Sequence, residues 1–182
     1  MGDVKHWVIK IYCDASFAKL NTDTVIGDLV TLEGENGAIA VLEWSSNKLK
    51  VPANSPLNGE SEAAVLAQGK ICHYRHILKQ IFGVEIPGEI ITDSKSLKDS
   101  VTSNNSVKDK RTSVNISILR AVVEEDNMTI SWISGAVQPA DVFTKPSVDS
   151  KIVKTLLRTG NVQCLESLKE QAKEKKDKNT KS

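Results

Sequence analysis

The stretch EIITDSKSLKDSV, residues 89–101, decides the architecture. EIITD is a short apolar run closed by an acid and reads as a buried strand; SKSLKDSV reads as the helix that this strand feeds. On its N-terminal side Ala64, Ala67, Ile71, Ile77, Leu78 and Ile81 recur at near-helical spacing from Gly59 to Phe82. That pattern is a long amphipathic helix with a glycine stop at Gly83. Further upstream VIKIYCDAS (8–16), DTVIGDLVTLE (23–33) and AIAVLEWSS (38–46) are three strand-like runs, the last two separated by the turn formers Gly34, Glu35, Asn36 and Gly37. Short connections make them an antiparallel meander.

Downstream, a polar loop over 104–110 precedes a helix marked by Ile116, Leu119 and Val123. MTISWIS (128–134) is a further strand and ADVFTK (140–145) a helix start. The order is therefore β-β-β-α-β-α-α-β-α, a mixed α/β sheet whose meander precedes strands that alternate with helices. Ile152, Val153, Leu156 and Leu157 form a short apolar face ending at Gly160, one more helix packed on the domain. Residues 1–160 read as one domain, and 161–182, with KEQAKEKKDKNTKS at its end, as a Lys-rich tail that is a frayed helix or disordered.

At 182 residues and 40% hydrophobic content, one domain can bury a substantial core. No apolar run approaches a membrane span, no secretory segment is readable at the N-terminus, and three scattered cysteines favour a reducing compartment. A net charge of +1 leaves any attraction to nucleic acid to local patches.

The acids take on meaning when placed on this map. Asp14 closes the first strand, Asp93 closes EIITD, Asp141 opens the helix after the last strand, and Glu60 and Glu62 lie near the start of the long helix. Asp141 alone would be no more than a complement to a helix dipole. Function in open α/β sheets gathers beyond the carboxyl ends of strands, however, and the first strand and EIITD can lie side by side. Carboxylates that close together raise one another's pKa unless a cation compensates. Mg²⁺ is the hard, oxygen-seeking candidate, and two such ions about 3.5–4 Å apart can drive phosphodiester cleavage.

The motifs YCDAS, GESEAA, ITDSKSL and QPADVFTK, in that order and on those elements, resemble the ribonuclease H domain of retroelement Pol polyproteins, nearest to copia-type LTR retrotransposons. The resemblance spans roughly residues 8–160 and is most specific in 109–135 and in PADVFTK. It implies a ribonuclease H-like α/β fold: a five-stranded mixed sheet, antiparallel meander then parallel strands, flanked by helices. The implied activity is metal-dependent hydrolysis of the RNA strand of RNA–DNA hybrids, with two Mg²⁺ ions for which Mn²⁺ can substitute. Asp14 then matches the aspartate that bridges both metals, Glu62 the helix glutamate, Asp93 the aspartate of TDS and Asp141 the late-helix aspartate. Glu60 competes with Glu62, because the aromatic residue that follows the second glutamate in the family run is replaced here by Ala63. The short SGAVQ loop lacks the histidine of many cellular ribonucleases H, which implies slower turnover. An upstream reverse transcriptase in a parent polyprotein and a cytoplasmic, virus-like-particle location are implied by the same resemblance, and no membrane partner is expected.

Competing readings stand beside these. A catalytically lapsed connection or scaffold domain would keep the fold and lose the metals; a domesticated module would bind hybrids without cutting them. Lys108, Lys110 and Arg111 can clamp a backbone phosphate or simply be solvated. Cys72, His73 and His76 lack partners for a zinc site, Trp132 reads as core, and Asp23, Asp28 and Asp99 as surface or capping acids.

Overall fold

A computed structural model describes residues 6–17 and 23–165. Its strands are β1 (Val8–Phe17), β2 (Thr24–Glu33), β3 (Ile39–Lys48), β4 (Gly88–Thr92) and β5 (Met128–Trp132). Its helices are α1 (Pro56–Phe82), α2 (Lys95–Thr102), α3 (Lys110–Glu125), α4 (Asp141–Thr144) and α5 (Lys151–Thr159). The five strands form one sheet in the order β3-β2-β1-β4-β5, antiparallel through β3-β2-β1 and parallel through β1-β4-β5. This is the mixed sheet expected from the pattern.

The period-two alternation of β1 builds two cores. Ile9, Ile11 and Cys13 pack with Ala64, Ala67 and Ile71 of α1, Leu97 of α2, and Ile116 and Leu119 of α3. Tyr12 belongs to the other face, with Leu29, Ile91, Val137 and Leu156. Asp14 follows Tyr12 by two residues, so it shares that second face; β1 runs on to Phe17, so Asp14 lies within the strand rather than closing it.

Two local features set where the long helix starts and stops. Ser55 caps α1 by accepting a hydrogen bond from the Asn58 amide, and Pro56 begins the helix. At the other end Gly83 adopts a left-handed conformation (φ 70°), which costs glycine nothing and lets its amide bond the Lys79 carbonyl. The helix therefore begins three residues before the Gly59 start that apolar spacing suggests.

Residues 161–165 continue the domain. The Val162 amide donates to the Gly37 carbonyl at 2.9 Å, and Leu165 is buried in the second core, so packing on the domain runs on past Gly160. Residues 166–182, and with them the reading of KEQAKEKKDKNTKS, lie outside the described residues. Among the described residues, no helix is long and apolar enough to cross a membrane.

Candidate metal centre

Strand pairing alone brings the first two acids together. Cys13 of β1 lies opposite Thr92 of β4 in a parallel register, so Asp14, still within β1, and Asp93, the first residue past β4, lie side by side. Asp141 arrives from the loop after β5. Gln138, fully buried, donates from Nε2 to the Cys13 carbonyl at 3.1 Å and so ties that loop to β1 beside Asp14. The approach of α4 to the sheet depends on Gly27: a Cβ there would lie 2.7 Å from Phe143 Cβ and 2.8 Å from Thr144 Cγ2. The outcome is a group in which Asp14, Asp93 and Asp141 each present a carboxylate oxygen within 4.8 Å of the others.

Glu60, rather than Glu62, is the α1 acid that feels the charges of Asp14 and Asp93. The Ser55–Pro56 start places Glu60 on one stripe with Ala64, Ala67 and Ile71, at spacings of four, seven and eleven residues, and that stripe is the buried one. Glu60 Oε2 is out of contact with solvent and has no hydrogen-bond partner. Its carboxyl is pushed up to about 9 by burial, then by the charges of Asp14 and Asp93, against the opposing pull of the Lys145 ammonium and the Ala15 backbone. Glu62 lies about 200° around the helix and accepts a 2.8 Å bond from Arg111 Nε. Glu62, which the resemblance matched to the helix acid, is thus engaged with Arg111, and Glu60 is the one coupled to Asp14 and Asp93. The Ser-Pro start signal and the position of Glu60 on the apolar stripe were both readable in the sequence.

Burial and the neighbouring Asp14 also raise the pKa of Asp93, and burial, opposed by a hydrogen bond from Lys145, raises that of Asp141. Lys145, which sequence reasoning passed over, bridges the group. Its ammonium donates to Asp141 Oδ1 at 2.7 Å and lies 3.3 Å from Asp14 Oδ2. Burial would lower its pKa, but the hydrogen bond and charge of Asp141, with the charge of Asp14, outweigh it and raise it. The Thr144 hydroxyl donates a short hydrogen bond to Asp14. Both residues belong to PADVFTK: one helical turn after Asp141, position 145 comes back over the same face.

The donor set suits a hard divalent cation. It is all oxygen, it carries an orphaned buried Oε2, and burial, with the mutual repulsion of the acids added, raises the pKa of Glu60, Asp93 and Asp141.

Several residues lie elsewhere. The Arg111 guanidinium is engaged internally, with Glu62 through Nε and the Pro52 carbonyl at 3.2 Å through Nη1, while Lys110 is exposed at the start of α3. Trp132 is half exposed rather than core, its indole N–H donating to the Asp93 carbonyl at 2.9 Å and bracing the turn that carries the acid. Asp28 is buried, not a surface acid, and pairs with Lys70 at 2.9 Å and Ser45 at 2.8 Å. Cys72, His73 and His76 form no metal-holding group among the described residues.

No protein-family model and no curated protein matches the sequence. Solved structures do match by shape. The N-terminal RNase H domain of a Mycobacterium tuberculosis protein, solved as a fusion with maltose-binding protein, is similar with a TM-score of 0.57 at 13% identity, over 81% of this chain and 98% of that one. RNase H1 from the archaeon Halobacterium salinarum has a TM-score of 0.53 at 16% identity, over 81% and 98%. The compost-derived LC11-RNase H1, in complex with an RNA/DNA hybrid, has a TM-score of 0.54 at 18% identity, over 79% and 99%. At these identities the likeness is one of architecture, and what the sheet order and the three matches together establish is that this chain has a ribonuclease H-like fold.

Proposed function

We propose that the chain is a metal-dependent endoribonuclease that hydrolyses the RNA strand of RNA–DNA hybrids. The observation that carries the reading is the convergence of Asp14, Asp93 and Asp141 at the carboxyl edge of the sheet, with Glu60 Oε2 buried and unpartnered beside them. In this reading Asp14, Glu60, Asp93 and Asp141 hold the metals, Glu60 taking the place first given to Glu62. Divalent ions bound there, Mg²⁺ or Mn²⁺, would supply an activated water and neutralise charge at the scissile phosphate. The carboxylates hold those ions, Gln138 and Trp132 fix the loops that carry Asp141 and Asp93, and exposed Lys110 is available to a backbone phosphate. Hybrid recognition rests on duplex shape and 2′-hydroxyls rather than base identity.

The copia-type motif order supports a role in retroelement reverse transcription, downstream of a reverse transcriptase domain and inside cytoplasmic particles. The test is direct. Purified protein is incubated with labelled RNA–DNA hybrid, single-stranded RNA and double-stranded DNA, each in Mg²⁺, Mn²⁺ or EDTA. Metal-dependent cleavage confined to the RNA of the hybrid is the expected result. Hybrid binding without cleavage would replace this reading with that of a binding module; neither binding nor cleavage would leave a scaffold domain.

A further inference from the structure

We propose that Lys145 is a tethered cation that holds the acid site together before metal arrives and sets the divalent-ion concentration at which the site fills. The proposal rests on the metal-site reading above and adds a competitor within the chain itself.

Lys145 Nζ contacts two of the three clustered aspartates, at 2.7 Å from Asp141 Oδ1 and 3.3 Å from Asp14 Oδ2, and its charge also acts on Asp93 and Glu60. A divalent ion held by Asp14 and Asp141 would sit within a few ångströms of this ammonium and compete with it for the same negative charge, so the two cations oppose each other. The side chain can leave. It is 39% exposed while Asp14 is 2% exposed, so a flexible four-carbon stem at the rim carries the charge to a fixed, buried acid. Its anchor is firm: the Lys145 amide bonds the Asp141 carbonyl, and the preceding Thr144 hydroxyl is bonded to Asp14. Lys145 is thus a positioning residue for the acids before metal binds and a competitor as it binds, acting through Asp14 and Asp141.

Removal of the ammonium has two opposite consequences. The metal-free protein loses its internal neutralisation and becomes less stable, while a divalent ion meets a more negative site with nothing to displace. The experiment titrates Mn²⁺ and Mg²⁺ by calorimetry and by thermal melts into the parent, Lys145→Met and Lys145→Arg, with melts in EDTA as the baseline. Lys145→Gln is measured alongside in case the Met variant does not fold. The expected result for Met or Gln is a lower melting temperature in EDTA, a larger metal-induced rise, and a Kd for Mn²⁺ roughly tenfold tighter, as expected for removal of a partly screened unit charge a few ångströms from the ion. Lys145→Arg keeps the charge and should stay near the parent. A merely structural lysine would lower the melting temperature with and without metal and leave Kd unchanged; that result, or weaker metal binding, overturns the proposal. A parent protein that binds no divalent ion overturns the metal-site reading itself.

Discussion

Glu60→Gln in metal-free protein should raise stability, and by an amount that grows with pH. The Glu60 carboxyl has its pKa moved from 4.5 to about 9 by burial and by Asp14 and Asp93. At pH 7 it is therefore neutral in the folded state and ionised in the unfolded state. Folding takes up a proton, so its contribution is fully present below 4.5 and is lost as pH rises to about 9. Each pH unit above 4.5 costs about 1 kcal/mol or a little more, which makes roughly 3 kcal/mol at pH 7. Glutamine, close in shape to the protonated acid, removes that cost. Its amide, placed where Oε2 has no partner, takes back about 1–2 kcal/mol, leaving a net gain of about 2 kcal/mol. For a chain of this size that is a rise of about 4–8 °C in Tm.

Melts in EDTA at pH 5.5, 7 and 8.5 of the parent, Glu60→Gln and Glu62→Gln test this. The gap between Glu60→Gln and the parent should widen with pH, whereas Glu62→Gln should lose up to about 1 kcal/mol at every pH, because it gives up only its part-exposed pair with Arg111. In Mg²⁺ the order should reverse, Glu60→Gln losing the metal-induced rise and most hybrid cleavage. A pH-independent gap, or a Glu60→Gln protein less stable than its parent throughout, would refute the assignment of Glu60 to the acid group.

Asp14→Asn and Asp93→Asn should each abolish hybrid cleavage; Asp93→Asn should leave the EDTA melt unchanged or higher because it relieves repulsion within the group, whereas Asp14→Asn should lower it because it also gives up the charge that Lys145 pairs with; single-turnover assays and melts on the same samples check it. Arg111→Ala should lower stability by about 1–2 kcal/mol in denaturant melts, because Glu62 and the Pro52 carbonyl lose their shared donor, yet leave metal binding intact. Truncation after Gly160 should lower Tm by several degrees relative to truncation after Leu165, since only the first removes a buried leucine worth about 2 kcal/mol or more.

The sheet was legible before any coordinate because its signals are local. The β-branched alternation of VIKIYCDAS, the turn residues 34–37 and the acid-closed run EIITD depend on near neighbours in the chain. The aspartates were legible for the same reason: Asp14 lies in the second half of β1, Asp93 follows β4 and Asp141 opens α4, so the order of elements sends all three to one edge. Glu62 was preferred to Glu60 because the family run was followed ahead of the apolar stripe: two residues apart, the two acids face directions about 200° apart, and only Glu60 is in phase with Ala64, Ala67 and Ile71.

Other features belonged to tertiary structure from the outset. The bridge from Lys145 to Asp14 spans 131 residues and that from Gln138 to Cys13 spans 125, and no periodicity encodes a meeting between such distant positions. Trp132, buried by its hydrophobicity in any sequence reading, stands half exposed because β5 is an edge strand and its indole N–H reaches the Asp93 carbonyl. The local chain determines which atoms reach the carboxyl edge of the sheet; only the folded arrangement decides which of them share a cation, because that depends on distances of a few ångströms across strands and helices that sequence spacing does not carry.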